Sequence, residues 1–145
     1  KLAAARHAVR RMVEVVVAVT GLACLGAWAL GPQVLRAFFG ARFDLSRATL
    51  VVLAGASGAY MLAVVLGQGL LALGSPVRAA VGWASGVVAF VAVVAVGADL
   101  VGRVERAYLA GSLVCLAILA GLLWNRMRSQ DQRSPLAPAF AEVEP

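Results

Sequence analysis

Histidine, cysteine and acidic side chains are scarce in this chain of 145 residues, which holds one His, two Cys and seven Asp plus Glu against thirteen Lys plus Arg. A single histidine, His7, supports neither a zinc site nor a His-dependent catalytic triad. Cys24 and Cys115 both fall inside apolar runs with no partner spacing, and read as small core residues. There is no phosphate loop, metal cluster or nucleophile-base pair, and the apolar runs offer no positioned pair of titratable groups for acid-base work. The expectation is a protein that is not an enzyme and carries no metal or cofactor.

Charge of either sign is missing over long stretches. Thirty residues separate Arg47 from Arg78 without one charged side chain, and three more charge-free runs of nineteen to twenty-one residues lie at 15–35, 79–98 and 107–125. A bilayer core about 30 Å thick is crossed by roughly 20 helical residues, so each run spans once. Apolar residues make up 62%, charged residues 14%, and mean hydropathy is +0.90; a soluble domain carries about 25% charge. The expected fold is all-α, a polytopic integral membrane protein with a bundle of four transmembrane helices at about 13–31, 49–72, 79–98 and 107–125. Leu73-Gly74-Ser75-Pro76 ends the second span chemically. Residues 128–145, polar and interrupted by Pro135, Pro138 and Pro145, read as a disordered cytoplasmic tail after a 1–127 membrane region. The sequence starts at Lys1, and the expectation is either a processed precursor or, in preference, the C-terminal piece of a longer polytopic protein.

The net charge of +6 does not point to nucleic acid, because the basic residues sit in short groups beside the spans. Counted on alternate sides, eight lie with the two ends and Arg78, and five with the 36–47 and 99–106 loops. The positive-inside rule then puts both ends of the segment in the cytoplasm. Arg36, Arg42 and Arg47 run against that rule, which leaves either interfacial anchoring or attraction for an anionic headgroup or substrate. Asp99 and Glu105 beside Arg103 and Arg106 read as a solvated, self-neutralising turn.

Within the spans, Glu14 follows Arg10 and Arg11, so it either forms an intrahelical ion pair or couples a proton or cation. Gly31-Pro32 through Phe43 reads as an interfacial turn, and Trp28 and Trp124 as members of the aromatic belts. The second span carries Ser57, Tyr60 and Gln68 on roughly one side, either lining an aqueous cavity or bonding a neighbouring helix. Gly82 with Gly86, Ala107 with Gly111 and Ala117 with Gly121 are small-residue pairs that mark close helix packing.

The order Leu35-Arg36-Ala37-Phe38-Phe39-Gly40-Ala41-Arg42-Phe43, then a helix ending Gly69-Leu70-Leu71-Ala72-Leu73-Gly74-Ser75-Pro76-Val77-Arg78, resembles the last four helices of lipid-linked oligosaccharide flippases. These form the polysaccharide-exporter branch of the multidrug/oligosaccharidyl-lipid/polysaccharide exporter superfamily. In that family a phenylalanine-glycine turn follows the ninth helix on the outer side, and a leucine-glycine turn follows the tenth on the inner side. The resemblance implies residence in the bacterial cytoplasmic (inner) membrane and export of an undecaprenyl-pyrophosphate-linked glycan by alternating access. It also implies partnership with the missing N-terminal helices and with membrane lipids, and no transport by this piece alone. Arg36, Arg42 and Arg78 are then the cationic candidates for the pyrophosphate, although all three sit at helix ends. Two other classes remain open. One is a non-transporting structural or assembly subunit, and the other a small four-helix multidrug/proton antiporter using Glu14.

Overall fold

The computed structural model describes residues 2–40, 45–96 and 100–133. They form four long helices, α1 (Leu2–Phe39), α2 (Arg47–Ala72), α3 (Pro76–Val96) and α4 (Leu100–Arg133), with no strand among the described residues. Each contains a stretch long and apolar enough to cross a membrane. The all-α, four-helix membrane bundle expected from the charge-free runs is the fold observed.

The helix ends follow local chemistry. Gly40, at φ +81°, ends α1 and donates its N–H to the Arg36 carbonyl at 3.0 Å. Ser46 caps α2, its Oγ accepting the Thr49 N–H at 3.1 Å. At the other end Gly74 turns left-handed at φ +65° and donates to the Leu71 carbonyl, while Ser75 donates to that of Leu70. This paired closure uses a residue without a Cβ where one would be strained. Pro76 then opens α3 at the first helical position, where its missing N–H costs nothing.

Three boundaries depart from the sequence reading. The turn expected from Gly31-Pro32 onward is helical as far as Phe39, because proline's fixed φ suits a helix and only one backbone hydrogen bond is lost. Arg103, Glu105 and Arg106 lie in the first turns of α4 instead of a loop. Arg103 uses that position to donate from Nη1 to the Val94 carbonyl at 3.2 Å, placing a cation on the last turn of α3. At its other end α4 continues to Arg133, past the expected start of the tail at 128. Residues 134–145, Asp99 and Arg42 lie outside the described residues.

Among the described residues the helices follow one another in the order α1, α2, α4, α3, with a smaller direct contact of α2 on α3 through Tyr60 and Trp83. Gly31 lies against Leu50 and Gly58 against Thr20, so α1 and α2 are antiparallel. The Ser57–Tyr108 and Gly69–Leu123 contacts make α2 and α4 parallel, and Gly82–Leu119 with Gly86–Cys115 makes α3 and α4 antiparallel. Successive spans therefore alternate in direction, as consecutive crossings must. Val13, Val16, Thr20, Cys24, Ala27 and Gly31 form the half-buried stripe of α1, spaced by three and four, and it faces α2 alone.

Small residues dominate the buried face of α2, to which α4 adds the buried leucines Leu119 and Leu123. Besides Leu70, the buried positions of α2 are all alanine or glycine, while Leu22, Val88 and Val96 among many large apolar side chains point outward. A water-soluble bundle arranges its side chains the other way round. Small residues inside and bulky apolar ones outside suit a lipid solvent, in which association depends on close backbone approach.

Candidate functional site

The polar residues of α2 meet different neighbours, although two of them share a face. At 100° per residue Ser57 and Gln68 fall within about 20° of each other, and Tyr60 about 80° from Gln68. Ser57 faces α4, where its Oγ accepts a hydrogen bond from the Tyr108 hydroxyl at 3.3 Å. Tyr60 faces α3, edge-on to Trp83 with ring centroids 5.5 Å apart, and remains 45% exposed. Gln68 is exposed on the side toward α1.

Two hollows flank this helix. A cleft of about 170 Å³ opens between α2, α3 and α4, with walls from Tyr60, Trp83, Phe90, Tyr108, Ser112 and Cys115. It is mainly aromatic and apolar, its hydroxyls coming from the two tyrosines and the buried Ser112. The second, about 250 Å³, lies between α1 and α4 over the C-terminal end of α2, with Gln68 as its one polar side chain.

The cationic candidates do not converge. Arg36 is in the last turn of α1, and Arg78 is exposed in the first turn of α3, at the opposite end of the row. Arg47 lies over the Trp28 ring at 5.7 Å and Arg128 over Trp124 at 4.9 Å, so each end carries an arginine-tryptophan pair of the kind that anchors a span at the interface. Glu14 accepts from Arg10 Nε at 2.9 Å, with both side chains mostly exposed. The intrahelical pair expected from their spacing is formed. His7, Arg10, Arg11 and Glu14 make one polar surface at that end of α1.

Tyr108, Ser112 and Trp83 were not among the residues singled out from sequence. Tyr108 and Ser112, four apart on one face of an apolar helix, did carry the signal. No group of three His, Cys, Asp or Glu able to hold a metal occurs among the described residues. No protein-family model, curated protein or solved structure matches this chain.

Proposed function

We propose that these four helices work within a larger membrane transporter that flips a lipid-linked oligosaccharide across the bacterial cytoplasmic membrane by alternating access. The observation that carries this reading is the pair of glycine-capped turns. Gly40 of the Phe39-Gly40 turn and Gly74 of the Leu73-Gly74-Ser75 turn are both left-handed, and they close the opposite ends of α2's neighbourhood. Those are the two sequence signals on which the resemblance to the flippases rests. The open row supports it too, since α1 packs on α2 alone and offers its other faces to further spans or to lipid.

In this reading Arg36 and Arg78 give the pyrophosphate a cation at each side of the membrane, with Arg42 adding to the first. Ser57, Tyr60 and Gln68 border the path between them. Transport of this kind makes and breaks no covalent bond. Glu14, exposed and paired with Arg10, lends no support to a proton-coupled antiporter.

A non-transporting assembly subunit is the second reading, favoured by the small, largely apolar mid-span cleft. Depletion of the full-length protein in its native cell separates the two. The transporter reading expects undecaprenyl-pyrophosphate-linked glycan to accumulate on the cytoplasmic leaflet, and an unchanged lipid-linked pool would refute it.

A further inference from the structure

The cleft between α2, α3 and α4 exists because α3 and α4 approach closely while α2 stands off from α3. Gly86 of α3 and Gly111 of α4 meet at its back, beside Cys115. On the open side α2 touches α3 much less than it touches α4, and the Tyr60–Trp83 ring pair bridges that gap. These two rings, inclined at 65°, form one corner, and Phe90 and Tyr108 supply two further aromatic walls. The mouth is marked by Tyr60 and by Val87, which is 61% exposed, and it opens sideways from the bundle toward lipid.

One hydroxyl inside is unsatisfied. Thr20, Ser85 and Ser129 each donate to a carbonyl three or four residues earlier in their own helices, the local outlet for a helical hydroxyl. Ser112 does not. It is 5% exposed, borders the cleft, and makes no hydrogen bond among the described residues. Tyr108, one turn before it, already donates to Ser57. A buried donor without an acceptor is costly, so the Ser112 proton calls for one in the cleft.

We infer that this cleft binds an uncharged, flat ring bearing a carbonyl acceptor, of the quinone class. The size suits a single ring: the cleft holds about 170 Å³, and an apolar cavity of about 150 Å³ takes benzene. Aromatic walls favour a ring that stacks offset or edge-on over an aliphatic chain, which gains nothing from such geometry. The carbonyl accepts the Ser112 proton. No Asp, Glu, Lys or Arg lines the cleft, so an organic cation would meet the aromatic faces without a counter-charge in hydrocarbon. A lateral mouth admits molecules already dissolved in the bilayer. Binding needs no change in the ring's oxidation state. The site rests on α2, α3 and α4 alone, and it stands or falls separately from flipping.

Equilibrium binding of duroquinone to the full-length protein in nanodiscs, measured against protein-free nanodiscs, tests this. Its four methyl groups hinder addition of the Cys115 thiol, and durene is the same tetramethyl ring without the carbonyls. Duroquinone should bind saturably to one site and about tenfold more tightly than durene, the worth of one hydrogen bond to an otherwise unpaired donor. Ser112→Ala removes that donor without breaking a hydrogen bond of the fold, so it should weaken duroquinone about tenfold and leave durene unchanged. Val87→Trp, at the exposed mouth, should weaken both by obstructing entry. The assignment would be overturned by the absence of saturable binding, as when acyl chains or water hold the cleft, by equal affinity for the two rings, by insensitivity to Ser112→Ala, or by preference for benzyltrimethylammonium.

Discussion

Adding one methyl group at Gly86 should part α3 from α4. A Cβ at that position would lie 2.7 Å from the Cys115 Cβ and 3.0 Å from the Gly111 carbonyl oxygen, and the latter is backbone that cannot swing aside. Non-bonded carbons rest at about 3.5–4.0 Å, so the helices must separate locally by about 1 Å. That separation also loosens Gly82 against Leu119 one turn away. Overpacking of this kind costs about 1–3 kcal/mol. Gly121→Ala is the matched control, for nothing lies within 4 Å of a Cβ there. Both substitutions place alanine in a helix interior, so their difference removes intrinsic propensity and leaves packing. Equilibrium unfolding in bicelles, followed by far-ultraviolet circular dichroism, should find Gly86→Ala less stable than Gly121→Ala by about 1–3 kcal/mol. Equal stabilities would refute the close α3–α4 approach.

Tyr108→Phe, which removes the hydrogen bond to Ser57, should cost about 0.6 kcal/mol, the usual worth of such a bond between membrane helices, in the same unfolding measurement. Glu14→Gln should change stability by less than about 0.5 kcal/mol, because the Arg10 pair is exposed; transport by the full-length protein should be retained, and its loss would revive a coupling role. Cys115 is 3% exposed and Cys24 half-buried against α2, where its Sγ approaches the Val51 carbonyl. A membrane-impermeant maleimide should therefore label neither before unfolding, and rapid labelling of Cys115 would contradict its burial.

The spans were legible because hydropathy reports burial in lipid directly: the expected spans 13–31, 49–72 and 107–125 fall within α1, α2 and α4, and the one from 79 follows α3 to its end at Val96. The Leu73-Gly74-Ser75-Pro76 turn was legible for a different reason: glycine's left-handed φ and proline's missing N–H are local constraints that no packing needs to supply. Pro32 misled because the rule that proline ends a helix describes a local cost, which the continued packing of α1 on α2, with Gly31 against Leu50, outweighs. Arg103 and Arg106 misled in the opposite way. Their charge marks the edge of the membrane, whereas the helix is set by the backbone and runs past that edge.

The row order was not readable at all, since four apolar helices with small residues on several faces admit more than one neighbour arrangement. It decides the candidate site nonetheless. Ser57, Tyr60 and Gln68 belong to one helix, yet α4, α3 and the α1 crevice claim one each.

Flipping of the lipid-linked oligosaccharide by the full-length protein, reconstituted in liposomes, tests the proposed function most directly. With the glycan's arrival in the opposite leaflet read by an impermeant glycosidase, the account predicts protein-dependent translocation that falls when Arg36 and Arg78 are replaced by glutamine. Translocation no faster than in protein-free liposomes would contradict it.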